Sequence, residues 1–194
     1  SFADNHARHI RLIDGHYYLA GPASDPRFNC QTILMPDKKL TRYLGIFNDV
    51  LSKHHLPYRL SECNSIFGQG KPGVSDTFAS ALWVLDFMWT VAENNGQGVN
   101  LHGGDKHFVY SPIVADNGVV SARPEYYGML AFRYGSGDGK MIPAIITNPR
   151  DYNCTAYACI NQANTLLLTL INKETDKNFS FNISFNKPAS TVKI

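Results

Sequence analysis

The sequence predicts an α/β architecture that gives way to β structure alone near residue 137. Two observations carry this. Up to that point short β-like runs alternate with longer amphipathic or apolar runs, the pattern of a parallel sheet or barrel crossed by helices. Beyond the glycine cluster Gly135-Ser-Gly-Asp-Gly139, strand-like runs follow one another with only polar turns between them. A chain of 194 residues that is 44% apolar and 18% charged has enough material to bury a core.

Taken in order, residues 9–13 and 16–20 read as a strand and its end. Asp37 then caps a helix over 38–55, where Leu40, Tyr43, Leu44, Phe47, Val50 and Leu51 recur at steps of three and four. Residues 58–62 form a short strand, and Gly68-Gln-Gly-Lys-Pro-Gly73 is a loop. Ser75 or Asp76 caps a helix running to about Asn94, apolar nearly all round and so deeply packed. Residues 97–102 make the next strand, a loop follows through Val120, and 123–134 is another helix. In the second part the candidate strands are 141–148, 156–161, 165–171 and 178–185. In the last of these Phe179, Phe181, Ile183 and Phe185 alternate at period two, and residues 172–177 are a polar hairpin connection before it.

Charge and cysteine content narrow the function. A net charge of +2 with no basic block argues against nucleic acid, and no apolar run approaches the ~18 residues of a membrane span. Aromatic residues at 12% beside abundant Asn suit sugar stacking as well as core packing. Three sequons begin at Asn153, Asn178 and Asn182 and would be acceptors on a secretory route. Cys30, Cys63, Cys154 and Cys159 lack zinc spacing and are buried thiols or disulfides, in any of three pairings. No metal and no cofactor is implied, since neither a ligand set nor a nucleotide loop is present.

Of the four glutamates, Glu93, Glu125 and Glu174 have ordinary explanations at a helix end, in a first helical turn and in a hairpin loop. Glu62 is different. It falls at the C-terminal end of a strand, before a glycine-rich loop, where α/β barrels place catalytic side chains. Position alone leaves two readings open, a catalytic carboxylate and a loop acid paired with Arg59.

The residues around it carry a resemblance. Arg59-Leu-Ser-Glu-Cys-Asn-Ser65, the glycine loop and Gly73-Val-Ser-Asp-Thr-Phe-Ala-Ser-Ala-Leu-Trp83 together resemble glycoside hydrolase family 79, the family of β-glucuronidases and heparanase. The likeness extends to His16-Tyr-Tyr-Leu-Ala-Gly21, Leu101-His-Gly-Gly104, Tyr110-Ser-Pro112 and Ala122-Arg-Pro-Glu-Tyr-Tyr-Gly128, covering roughly residues 10–137. It implies the C-terminal part of a (β/α)8 TIM barrel over 1–137 and part of an antiparallel β-sandwich over 138–194. It implies Glu62 as the nucleophile of a retaining glycosidase, with Tyr17 orienting it, although a core aromatic is the other reading of Tyr17. Tyr110 and the Gly68 amide fall in the role of uronate binders, and Asn64 and His102 line the pocket or serve packing. Where the family usually has a second tyrosine that bonds the uronate carboxylate, this sequence has Phe67, which offers no hydrogen bond, so a neutral glycoside is also open. By the same resemblance Cys159 pairs with a cysteine beyond Ile194.

Retaining hydrolysis needs a second carboxyl about 5–5.5 Å from the nucleophile, and the resemblance puts that acid/base on an earlier strand that this sequence does not contain. The expectation is a chain that supplies the nucleophile part of a secreted or extracellular enzyme, with a lysosomal, vacuolar or periplasmic setting also open. Its partners are a glucuronide or related glycan and the remaining N-terminal part as a separate chain. On its own it is expected to be inactive. The alternative is a non-catalytic carbohydrate-binding remnant.

Overall fold

A computed structural model describes residues 2–148 and 150–184. The first part holds helix α1 (Phe2–His6), strand β1 (Ile13–Ala20), helices α2 (Cys30–Leu34) and α3 (Lys38–His54), strand β2 (Tyr58–Ile66), helix α4 (Phe78–Glu93) and strand β3 (Val99–Leu101). The three strands form one parallel sheet in the order β1-β2-β3. Parallel neighbours need crossovers, and α3 and α4 supply them. With helices on one face only, the unit is consistent with part of an α/β barrel.

Period two sorts the side chains of this sheet. From β1, Ile13 and Tyr17 join the helix-side core, as do Tyr58, Leu60 and Cys63 from β2 and Val99 and Leu101 from β3. Against them lie Leu40, Leu44 and Phe47 of α3 and Trp83, Val84, Phe87 and Val91 of α4. Asp14, His16 and Tyr18 alternate with the first set, and a polar face results. The register between β1 and β2 slips between Gly15 and His16, passing from Leu60 to Glu62 and leaving Ser61 as the extra residue. That bulge resets the alternation of β2 and puts Glu62 opposite His16.

Asp37 caps α3 as its position predicts, with Oδ1 accepting from the Leu40 amide at 2.9 Å. The cap of α4 differs. Its first residue follows Thr77, while Ser75 Oγ accepts from the Lys71 amide and Asp76 from the Gly73 amide, so both predicted caps hold the preceding turn instead. A strand was expected from residue 9, but residue 9 closes a turn of 3-10 helix over Ala7–His9 and β1 starts only at Ile13. The stretch through Val120 is not all loop: β4 (Ile113–Asp116) and β5 (Val119–Ala122) make an antiparallel hairpin around Asn117-Gly118. Both turn residues have positive φ, 50° and 78°, the geometry that Asn-Gly adopts readily.

Helix α5 (Pro124–Ser136) packs along α4 and ends at Gly137, left-handed at φ 52°. Then β6 (Lys140–Ile142), β7 (Cys154–Ile160) and β8 (Leu166–Asn172) form an antiparallel sheet. One face of it rests on helices: Tyr157, Cys159 and Ile171 cluster with Leu85 and Trp89 of α4, and Phe132 of α5 packs on them. A charged knot joins the same elements. Asp86 of α4 accepts from Thr155 at 2.6 Å, Tyr157 at 2.8 Å and the Lys173 ammonium at 2.6 Å, and Lys173 is only 4% exposed. Residues 178–184 hold no strand: the alternating aromatics find no ladder, and Phe179 stacks on Tyr152 instead, with ring centroids 4.6 Å apart. Phe185 lies outside the described residues. All four cysteines are free thiols.

Candidate active site

The site is the polar face of the parallel sheet. Across it run Asp14, which accepts from Ser61 at 2.7 Å, and Arg59, which donates to Asn100 at 2.5 Å. The chemistry concentrates around the middle of β2, which runs on to Ile66 where a strand ending at Glu62 was expected. Glu62 is partly open to solvent, its Oε1 accepts a 2.8 Å bond from the Tyr18 hydroxyl, and its Oε2 lies 3.8 Å from His16 Nδ1. The same Tyr18 oxygen is 2.8 Å from His102 Nδ1, and the Tyr110 hydroxyl is 3.1 Å from that nitrogen. His102 Nδ1 is 4.0 Å from Glu62 Oε1. One carboxylate, two imidazoles and two phenols therefore share a few ångströms.

The backbone fixes this cluster. The His102 amide donates to the Cys63 carbonyl at 2.9 Å, and its own carbonyl accepts from Asn64 Nδ2 at 2.9 Å, so β2 holds the end of β3 on both sides. Tyr110 is 1% exposed, and it packs so closely on Gly70 that a Cβ there would sit 2.8 Å from its ring and 2.9 Å from its amide nitrogen. Only glycine fits at that spot. The Val109 amide, donating to the Gln69 carbonyl at 2.7 Å, ties the two loops together. Burial and the neighbouring Glu62 push the ionisation of the Tyr18 hydroxyl well upward, and burial does the same for Tyr110, so both are hydrogen donors at neutral pH.

Two expected site residues are elsewhere. Tyr17 does not touch Glu62. It is on the helix side of β1, 3% exposed, and donates to Asp37 Oδ2 at 2.6 Å, because the residue next to Tyr18 on a strand must face the other way. The tyrosine that meets the carboxylate is Tyr18. Asn64 is fully buried, its amide donating to His102 and, at 3.4 Å, to Glu125, and its oxygen accepting from Ser65, which leaves it behind the site rather than lining it. Phe67 is exposed at the rim with its ring edge-on to Tyr18, and Gly68 follows it in the loop with φ 86°. Phe67, Tyr18, Phe28 and Lys39 border a hollow of about 340 Å³ beside the cluster.

Its position in a first helical turn makes Glu125 look ordinary, yet it is 1% exposed. It accepts from Ser80 at 3.0 Å as well as from Asn64. Burial raises its ionisation well above the usual carboxylate range, and the group is wedged between α4, α5 and β2. The Cys63 thiol, beside Glu62 in sequence, is pushed up to about 12 by burial, with Glu125 adding to the effect, and is inert. Glu174 is bound to the Asn153 amide and Lys177, away from the cluster.

No family model matches the chain. A β-glucuronidase of Aspergillus niger is 29% identical over 148 residues, 70% of this chain and 27% of the relative. A β-glucuronidase of Neurospora crassa is 29% identical over 136 residues, 66% and 24% of the two chains. In sequence the chain is similar to β-glucuronidases. It spans about a quarter of the length of these relatives. Among solved structures, a 4-O-α-L-rhamnosyl-β-D-glucuronidase from Fusarium oxysporum, in complex with Rha-GlcA, matches with a TM-score of 0.60 at 17% identity, over 90% of this chain and 36% of that one. A family 51 α-L-arabinofuranosidase from Bifidobacterium longum gives a TM-score of 0.66 at 14% identity, over 88% and 40%. At those identities the structures speak for the fold alone, which this chain shares over 36% and 40% of their lengths.

Proposed function

We propose that this chain is the nucleophile-bearing part of a retaining family 79 glycoside hydrolase that cleaves β-linked glucuronides. The observation that carries it is Glu62: a carboxylate on the open face of a parallel sheet, bonded by Tyr18 and flanked by His16 and His102, in a chain related to β-glucuronidases. In this reading Glu62 attacks the anomeric carbon, the glycosidic bond breaks, and a glycosyl ester forms that water then hydrolyses. The Tyr18 hydrogen bond holds the attacking carboxylate in one orientation. Tyr110, His102, Gly68 and Phe67 edge the place of the sugar. With Phe67 presenting a ring edge instead of a hydroxyl, the enzyme discriminates uronate from neutral sugar less sharply than a site with a full set of donors.

The acid/base and the other barrel strands belong to polypeptide outside this chain, in keeping with its quarter share of the relatives' length. Residues 1–137 are then barrel and 138–194 part of a sandwich domain, and a secretory setting suits the glycan substrate. The exposed sequons at Asn178 and Asn182 fit that setting, whereas the Asn153 amide is engaged with the Leu34 carbonyl at 2.8 Å. The test is a 2-deoxy-2-fluoro-glucuronide carrying a good leaving group, applied to the assembled enzyme and read by peptide mass spectrometry. A glycosyl ester on Glu62, and hydrolysis of an aryl glucuronide reduced on the order of 10⁴-fold or more by Glu62→Gln, is the expected result. Undiminished turnover by that variant would overturn the assignment.

A further inference from the structure

The Tyr18 hydroxyl makes two short contacts, 2.8 Å to Glu62 Oε1 and 2.8 Å to His102 Nδ1, yet it carries one hydrogen. Two electronegative atoms held at that distance with no hydrogen between them repel, so a second hydrogen has to come from one of the two neighbours. Glu62 stands between the imidazoles of His16 and His102, at 3.8 and 4.0 Å, and as a carboxylate it is the accepting end. Tyr110 does not solve the count. If its hydroxyl donated into a bare Nδ1, the 2.8 Å contact between that nitrogen and Tyr18 would still hold no hydrogen once Tyr18 had turned its own toward Glu62.

We infer that His102 carries its proton on Nδ1 and donates it to the Tyr18 oxygen, so that Tyr18 directs its only hydrogen at Glu62. The chain of donors then runs one way, imidazole to phenol to carboxylate, and each bond polarises the next. The Tyr110 oxygen is placed to accept a weaker branch from the same N–H. Nothing local forces a free histidine into this form, since an unrestrained neutral imidazole side chain favours its hydrogen on Nε2. Here the main chain of His102 is pinned by Cys63 and Asn64, and its ring lies against Phe108 with centroids 4.8 Å apart. The ring therefore presents Nδ1, and not Nε2, to the two phenols. His102 is a positioning residue that acts on Glu62 through Tyr18. That consequence rests on the proposed function, while the protonation of the ring does not.

The experiment is a long-range ¹H–¹⁵N correlation spectrum of the chain labelled with ¹⁵N-histidine, at a pH where the ring is neutral. The His102 signals are identified by their loss in His102→Gln. The expected result is a hydrogen on Nδ1 in the unmodified chain, shifting to Nε2 when Tyr18→Phe and Tyr110→Phe together remove both acceptors. A bare Nδ1 in the unmodified chain overturns the inference whether or not any variant folds, as does an unaltered tautomer in the folded double variant. In the assembled enzyme His102→Asn, whose side-chain N–H replaces Nδ1–H, should retain more kcat than His102→Gln. Absence of glucuronide hydrolysis in every assembled form, with Nδ1 protonated, would remove the proposed function and leave the protonation assignment standing.

Discussion

The two faces of strand β2 divide folding from chemistry. On the helix side Tyr58, Leu60 and Cys63 have no solvent exposure and pack on α3 and α4. On the other side Arg59, Ser61 and Glu62 stay partly open and bond to polar groups of β1 and β3. Parallel strands are usually apolar on both faces, and β2 departs from that on the side away from the helices. Burying a polar group is unfavourable unless it is paired. Here Ser61, Glu62 and Arg59 all are paired, so the face is an organised site and not a surface left over from packing.

The sharpest break in this division is the charged knot on the helix side. Asp86→Ala would leave the Lys173 ammonium, 4% exposed, without its partner, and strand the hydroxyls of Thr155 and Tyr157. Breaking a buried pair by removing one member costs about 3–5 kcal/mol. Denaturant unfolding should show that loss, and a loss under about 1 kcal/mol would mean the knot is a solvated surface pair. Next comes Leu60→Ala, expected to lower stability by about 2–5 kcal/mol through lost burial and the cavity left behind.

Much of this arrangement was legible in the sequence, and the failures have physical causes. The helix capped by Asp37, the parallel order and the change near residue 137 follow from periodicity and punctuation, which are local. The choice between Tyr17 and Tyr18 was not a matter of residue type. It depended on strand parity, and Asp14 and His16, four and two residues back from Tyr18, already marked the polar face. The bulge at Ser61 hides the same parity in β2, because an extra residue shifts every later side chain by one. The Asn117-Gly118 turn was a plain hairpin signal between the apolar runs 113–115 and 119–120, left unread inside the expected loop. Burial of Glu125 was not readable, since it arises from α5 closing over α4, with Gly128 so near the Ala81 carbonyl that a Cβ would sit 2.3 Å from it.

Glu125 sharpens the comparison from the other direction, as a carboxyl that belongs to the packed side. Its ionisation is raised in the folded chain, chiefly by burial. Such a group contributes stability fully below the ordinary glutamate value of about 4.3, and the contribution is lost as pH rises toward and through the raised value. Glu125→Gln keeps the shape and removes the titration. Unfolding measured from acid to neutral pH should therefore show the natural chain losing stability relative to the variant. A difference that stays constant with pH would place this carboxyl in water.

The smallest effect is the most direct test of the division, because it compares neighbours. Ser61→Ala, beside Leu60 but on the open face, removes one bond to Asp14 and leaves a carboxylate that water can reach. A bond of that kind is worth about 0.5–1.5 kcal/mol, and solvent access to Asp14 puts the expectation at the lower end. Ser61 is also the residue inserted at the bulge, so its side chain is dispensable only if backbone pairing of His16 with Glu62 sets the register. Stability near that of the natural chain, with the His102 tautomer unchanged, would show that the ladder holds Glu62 in place. A loss as large as that of Leu60→Ala would show that the polar face carries folding energy too, and the division between the two faces would fail.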